Sequence, residues 1–274
     1  LCNLLYAPRG SESHWYRFDK QMGDAPMRAI SKTLATALAI STCYPLAATA
    51  QDDGWDFFGS LYTWVAETNI EARTPSGSVS GTLSFSDVLE NLEMVFMGSF
   101  EARKARWSLL ADLFYIDLAF RDSVDPTSGF TNARFSNEIV ILSGLAAYQV
   151  YDNQNVSVDL GAGLRYIHLD SDLTLRGTGP SVTFGSSDGA TDIVIATRAN
   201  LPLSNRTSAT FYLDYGFGSG DEYSWQALAT LDYALTERWT LRGGYRYLEF
   251  ERDVGTVTYD FDLSGLILGA TYQF

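Results

Sequence analysis

Cysteine, histidine and lysine are all scarce in this chain of 274 residues. Its two cysteines are Cys2 and Cys43, its two histidines are His14 and His168, and Lys104 is the only lysine beyond position 50. A chain that keeps only residues after position 50 therefore has neither an internal disulfide nor a metal site ligated by cysteine. No apolar run of 18 or more residues occurs, so the sequence predicts no transmembrane helix.

The first 50 residues have the pattern of a processed leader. Met27–Lys32 is a short basic start, and Thr33–Ala50 is an apolar core followed by small residues that end in an Ala-x-Ala cleavage motif. We predict a secretory signal peptide over 27–50, with cleavage after Ala50. Residues 1–26 are predicted to be an upstream extension from a start codon assigned too early. A lipoprotein signal at Cys43 is the alternative, disfavoured by the threonine before it.

Charge limits the function classes. Residues 1–50 carry five of the 19 basic and three of the 33 acidic residues, which leaves 14 basic and 30 acidic residues beyond them. So acidic a chain is a poor candidate for nucleic-acid binding, because phosphate contacts need clustered Lys and Arg.

Beyond the leader, apolar and polar residues alternate with the period of two that is typical of half-buried strands. Ten strands are predicted, the last of which ends at Phe274. The nine before it span 55–66, 94–103, 107–120, 135–150, 156–170, 193–203, 207–217, 225–235 and 239–250. Short turns over 104–106, 151–155, 204–206 and 236–238 alternate with longer loops over 71–93, 121–134, 171–192, 218–224 and 251–258.

Two all-β architectures compete for this pattern. A soluble sandwich would expose its polar face and carry many lysines, whereas here the polar face holds small residues and charges of both signs, Glu138 among them. That pattern suits a narrow lumen crossed by ion pairs, because buried charges need partners. We predict lumen ion pairs among Glu101, Asp112, Asp159, Arg165, Arg198, Asp214, Asp232, Arg242 and Arg246.

Aromatic residues near the strand ends favour a barrel in a membrane. Such residues form girdles at the two membrane interfaces. The predicted girdle residues are Trp55, Trp64, Trp107, Tyr166, Trp225, Trp239 and Tyr272. We therefore predict an all-β, antiparallel up-and-down transmembrane β-barrel over 51–274, with about ten strands and eight as the alternative. Its short turns would be periplasmic and its longer loops extracellular, because such barrels have short periplasmic turns.

Two stretches resemble known proteins. "GGYRYLEFERDVGTVTYDFDLSGLILGATYQF" is similar to the final hairpin of small Gram-negative outer-membrane barrels of the OmpA-like group, and "FSDVLENLEMVFMGSFEARKARWSLLADLFYIDL" resembles uncharacterised proteobacterial outer-membrane proteins. The resemblance implies residence in the bacterial outer membrane, with lipid and lipopolysaccharide as partners. It also implies that Tyr272 and Phe274 form a C-terminal signal for the outer-membrane assembly machinery, and it is consistent with a monomer.

Catalytic chemistry has little support in the sequence. His168 is the only candidate, with Asp170 or Asp172 as its partner, but its position in the alternation puts it on the lipid-facing side. The acidic loops lack the spacing of a calcium loop. We therefore predict no catalytic, cofactor-binding or metal-binding residues and expect a structural or surface role. The alternatives are a narrow pore for small solutes and a surface hydrolase centred on His168.

A short helix is predicted within the first long loop, over 86–92. Ser86 or Asp87 would cap it, and Val88, Leu89 and Leu92 would share an apolar face. Two placements remain open, a loop helix that rests on the rim and a plug that folds into the lumen.

Overall fold

A computed structural model describes residues 54–74, 77–123, 130–177, 179–254 and 257–274. Both the predicted signal peptide and the predicted upstream extension lie outside these residues and stay predictions. The described residues form eleven strands and one helix: β1 (Asp56–Thr74), β2 (Gly77–Leu83), α1 (Phe85–Glu90), β3 (Leu92–Lys104), β4 (Trp107–Ser123), β5 (Phe130–Asp152), β6 (Ser157–Gly177), β7 (Val182–Pro202), β8 (Thr207–Phe217), β9 (Tyr223–Ala234), β10 (Trp239–Val254) and β11 (Val257–Gln273).

Ten of these strands close into an antiparallel barrel. Consecutive strands pair from β3 to β11, β1 pairs with β3, and β11 returns to pair with β1. The closing register runs from Phe58 opposite Gln273 to Arg73 opposite Thr258. β2 is not part of this ring. It pairs with β1 from Thr68 to Thr74, whereas β3 pairs with β1 only from Asp56 to Leu61. The predicted all-β barrel with ten strands is confirmed.

The four short turns lie where they were predicted, and the predicted loop after β8 is present at 218–222, but the prediction of four longer loops at the opposite end is wrong. β5, β6 and β7 have 23, 21 and 21 residues, about twice the ~9–11 that a membrane requires. Strand therefore occupies most of four predicted loops, 71–93, 121–134, 171–192 and 251–258. The alternation of apolar residues fades there because both faces carry polar side chains, whereas the backbone ladder continues. We call the two ends the short-turn end and the long-hairpin end.

The predicted helix forms at the long-hairpin end, and its cap lies two residues before the predicted Ser86. Ser84 is the N-cap, and its hydroxyl and the Asp87 carboxylate form a reciprocal capping box. None of its residues is buried, and Val88 packs against the apolar interior from the rim, as does Leu92 just after the helix. The helix therefore rests on the rim and does not enter the barrel as a plug. Within the described residues, no helix is long and apolar enough to cross a membrane.

The outer surface carries an apolar belt next to the short-turn end. On β4 the outward residues are Trp107, Leu109, Ala111, Leu113 and Tyr115, and the next outward residue is Asp117. On β11 the apolar outward face runs from Phe274 back to Leu266, and Ser264 follows. The belt is therefore about nine residues high, which matches the length that a strand needs to cross a bilayer.

The interior differs between its two halves along the barrel axis. An apolar cluster occupies the half towards the long-hairpin end, with Trp64, Phe114, Ile141, Leu248 and Phe250 all almost fully buried. On β1, β4, β5 and β10, the inward residues closer to the short turns instead line a polar cavity of about 420 Å³. Ile267 belongs to both the apolar cluster and the wall of the cavity.

Candidate functional site

The centre of the barrel holds a buried ion pair between Arg165 on β6 and Asp214 on β8. Nη2 of Arg165 lies 2.5 Å from the carboxylate, and both side chains are at most 1% exposed. Arg165 also donates to the hydroxyls of Ser143 and Ser224, at 3.2 and 3.1 Å. The two residues are 49 positions apart in sequence and lie on β6 and β8, the two neighbours of β7, so their contact depends on the pairing of three adjacent strands.

Hydrogen bonds extend from this pair to the opposite wall. Gln226 donates to the Asp214 carboxylate at 2.7 Å and accepts from Nε of Arg246 at 3.0 Å. Arg246 in turn donates to the Tyr62 hydroxyl at 3.0 Å and lies 3.4 Å from Asp112. Each charge in the chain of contacts thus has a partner, as burial requires.

Arg246 also lies under the ring of Trp64, with 4.8 Å between the guanidinium carbon and the ring centroid. Trp64 is only 3% exposed and makes an edge contact with Phe114. The placement of Trp64 in the outward girdle is therefore wrong. Indole suits an interface and an interior cation–π contact equally well. The signal that separates the two is parity, since Trp64 shares the inward face of β1 with Tyr62 and Ala66.

A second buried ion pair lies nearer the long-hairpin end and was missed by the sequence analysis. Nη2 of Arg252 is 2.9 Å from both carboxylate oxygens of Asp192, and the Ser224 hydroxyl donates to the same carboxylate. Arg252 was assigned to a loop, because apolar alternation weakens after Phe250. The signal that could have found it is its parity, since Arg242, Arg246 and Arg252 share the inward face of β10.

The remaining predicted interior charges border the cavity. Arg198 binds Asp159 at 2.7 Å and Glu101 at 2.8 Å, and Arg103 also reaches Glu101 at 2.8 Å. Arg198 thus links β3, β6 and β7 across the short-turn end.

The pair between Arg242 and Asp232 is much looser. The two side chains approach to 3.3 Å without a hydrogen bond, and the Arg242 side chain is 39% exposed. Glu138 was placed on the inward face, but the structure has it outside, where it accepts a hydrogen bond from Tyr115 at 3.1 Å.

The other predicted girdle residues lie on the outer surface. Trp107 packs edge-on against Tyr148, whereas the rings of Trp239 and Tyr272 and those of Trp225 and Tyr247 are tilted against each other. Trp55 is exposed just before β1, and Tyr166 stacks with His168 near the upper edge of the belt. The Tyr272 ring contacts Phe274.

His168 lacks the surroundings of a catalytic histidine in the described part of the chain. It faces outward, 6.1 Å from the Tyr166 ring, and its Nδ1 has no hydrogen-bond partner. Asp170 shares its outward face on β6, but no hydrogen bond joins the two. Among the described residues, no group of three or more His, Cys, Asp or Glu side chains is arranged to hold a metal ion.

Carboxylates crowd the outer wall above the belt. Arg73 on β1 forms ion pairs with Glu251 on β10 and Asp260 on β11. Burial and the neighbouring Asp260 carboxylate raise the pKa of Glu251, and Arg73 only partly opposes this effect. Two carboxylates therefore share one cation at this position.

Comparison with solved structures agrees with this geometry. The outer-membrane protease OmpT from Escherichia coli superposes with a TM-score of 0.53 at 9% identity, covering 83% of this chain and 99% of that one. The fold is that of an outer-membrane β-barrel. Identity this low establishes the architecture and carries no activity across.

Two other barrels and one family also match. Neisserial surface protein A gives a TM-score of 0.33 at 17% identity, and the attachment invasion locus protein Ail of Yersinia pestis gives 0.35 at 10%; each match covers 81% of this chain and 99% of the other. Residues 131–262 of the barrel match a family described as "Protein of unknown function, DUF481". No curated protein matches the sequence.

Proposed function

We propose that this protein is an integral barrel of the bacterial outer membrane, closed to solutes, with a structural or surface role and no enzymatic activity. The observation that carries the proposal is the filled interior. The apolar cluster around Trp64, Phe114 and Ile141 occupies the half towards the long-hairpin end, beside the buried pair of Arg252 and Asp192. A barrel of ten strands is only slightly wider than one that its own side chains fill.

The outward belt supports a membrane location. Its aromatic and aliphatic side chains are exposed in the isolated chain, and an apolar surface of this extent needs a cover. Strands that close on themselves satisfy every backbone group inside lipid. We propose that the short turns face the periplasm and the long hairpins face outside, since barrels of this type have short periplasmic turns.

Single-channel recording in planar bilayers tests the closed interior. Purified wild-type protein should give no discrete conductance steps, with a porin reconstituted in parallel as the positive control. Phe114→Ala, which removes one ring from the apolar cluster without touching a charge, serves as the sensitised variant. Reproducible steps from wild-type protein would replace the closed barrel with the narrow-pore alternative.

The surface hydrolase remains the competing function. Its test is hydrolysis of phospholipid and peptide substrates by wild-type protein and by His168→Ala. We expect neither protein to hydrolyse them. Hydrolysis by wild-type protein that His168→Ala abolishes would make His168 the centre of an enzyme.

A further inference from the structure

The polar cavity at the short-turn end contains an arginine with unused hydrogen-bonding capacity. Within the described residues Arg242 makes no hydrogen bond, and its buried Nε has only the 3.3 Å approach to Asp232. A guanidinium group offers five N–H donors in a planar fork that matches a carboxylate or a phosphate. An arginine left this free inside a cavity is unusual, because buried donors are normally satisfied.

The carboxylate of Asp232 does not satisfy the hydrogen-bond donors of Arg242. Asp232 is only 4% exposed and already accepts hydrogen bonds from the hydroxyls of Thr210, at 2.6 Å, and Thr230, at 2.9 Å. Its charge is held in the barrel wall, while 39% of the Arg242 side chain stays accessible. The outer part of the guanidinium group is therefore available to a second anion.

Arg242 borders a cavity large enough for a small ligand. Gly269 is the cross-strand partner of Arg242 on β11 and lines the cavity without a side chain. An added Cβ at Gly269 would lie 2.8 Å from the Cβ of Tyr62, so the backbone packs closely there. The cavity volume of about 420 Å³ falls in the range of small-molecule sites, about 300–1,000 Å³.

The cavity wall differs in charge from the rest of the protein. Its charged residues are the four acids Glu101, Asp112, Asp159 and Asp232 and the five arginines Arg103, Arg106, Arg198, Arg242 and Arg246. The wall is thus slightly positive, whereas the chain has a net charge of -14. Contacts within the wall already neutralise Glu101, Asp112 and Asp159.

Hydroxyl groups line the wall beside this arginine. Thr240, Thr271 and Ser60 lie in one cross-strand row, and the Ser60 and Thr271 hydroxyls are 2.8 Å apart. Hydroxyls both donate and accept hydrogen bonds, so this row suits a ligand that itself carries hydroxyls.

We propose that this cavity binds a small hydroxylated solute through a phosphate or carboxylate group held by Arg242. The lining runs from Arg106 in a short turn to Ile267 of the apolar cluster, so the proposed site is a cup and not a channel. Solute binding at this site does not require the barrel to conduct. The closed interior proposed above therefore does not depend on the binding site.

Isothermal titration calorimetry with glucose 6-phosphate and gluconate tests the site. The protein is kept in a polyoxyethylene detergent, which carries neither sugar nor phosphate groups that could compete. Wild-type protein should bind at least one of the two solutes saturably, and whichever binds more tightly identifies the preferred anionic group. Inorganic phosphate should bind more weakly, because it reaches only the arginine.

Two variants locate the anion. Arg242→Gln should weaken binding at least roughly tenfold, since it removes a charge-assisted contact. Arg238→Gln is the matched control on the same hairpin: Arg238 hydrogen-bonds outward to Tyr272, so binding should be unchanged. Heat-modifiable gel mobility confirms that both variants are folded, and Arg242→Lys, which retains the charge, should bind with intermediate affinity.

Two results would overturn the proposal. One is the absence of saturable binding of either solute by folded wild-type protein. The other is equal binding by wild-type protein and folded Arg242→Gln, which would show that any bound anion sits elsewhere. If inorganic phosphate bound as tightly as glucose 6-phosphate, the role of the hydroxyl row would be refuted.

Discussion

Two arginines on the inner wall should differ sharply in their contribution to stability. Arg165 is 1% exposed and lies 2.5 Å from the buried Asp214, whereas Arg242 is 39% exposed and has only a 3.3 Å approach to Asp232. Replacing each with methionine preserves most of the side-chain volume and removes the charge. The comparison isolates the effect of burial on an ion pair.

The expected magnitudes follow from the surroundings of each pair. Removing one member of a buried pair costs ~3–5 kcal/mol, because the other charge is left alone. Asp214 would keep its hydrogen bonds from Tyr212 and Gln226, so we expect Arg165→Met to cost about 3 kcal/mol, at the low end of that range. A solvent-accessible pair contributes about 0–1 kcal/mol, which sets the expectation for Arg242→Met.

Equilibrium urea unfolding in phospholipid vesicles, followed by tryptophan fluorescence and gel mobility, measures both free energies of unfolding. The double variant Arg165→Met/Asp214→Leu should recover much of the loss, because no unpaired charge remains. If Arg165→Met cost no more than Arg242→Met, water would have to reach the centre of the barrel, and the filled interior described here would be incorrect.

Three further predictions concern topology, assembly and pH. Maleimide labelling of whole cells should modify Ser186→Cys on β7 at the long-hairpin end but not Gln154→Cys in a short turn; the reverse pattern would mean an inverted topology. Deleting Phe274 should reduce folded barrel in cell membranes far more than it lowers stability after refolding in detergent; wild-type levels in cells would reduce Phe274 to an interfacial anchor. Because the pKa of Glu251 is raised above its ordinary value of 4.5 in the folded state, wild-type protein should lose stability relative to Glu251→Gln as pH rises from about 4 through the raised pKa; a constant difference in melting temperature across that window would contradict the shift.

Local pattern was enough to determine the architecture. In a strand, alternate side chains point to opposite faces, so the alternation on β4 and β11 separates the belt from the lumen without knowledge of any partner strand. Short turns punctuate that pattern, and their number predicted ten strands. The same parity places the alternate residues of the last strand on the outward face, namely Leu266, Leu268, Ala270, Tyr272 and Phe274.

The pattern failed where its physical cause disappears. Above the belt, water meets the outer wall and polar side chains occupy both faces, so the strands continue without the apolar alternation that marks them. The predicted loops were therefore mostly β-strand, and Arg252 was assigned to a loop although it lies on an inward face. Hydrogen bonding of the backbone, which the sequence pattern does not report, sustains these strands.

Only the tertiary structure decided which charges meet. Arg165 and Asp214 are 49 residues apart, and Arg198 and Glu101 are 97 apart, so their contact depends on the register of the strands between them and on the curvature of the sheet. Closure between β1 and β11 brings the inward Trp64 over Arg246, and the pairing of β10 with β11 sets Arg242 opposite Gly269. Residue type and parity predict that a charge lies in the lumen, but the distance across the lumen is set by strand number and stagger, which only the closed barrel fixes.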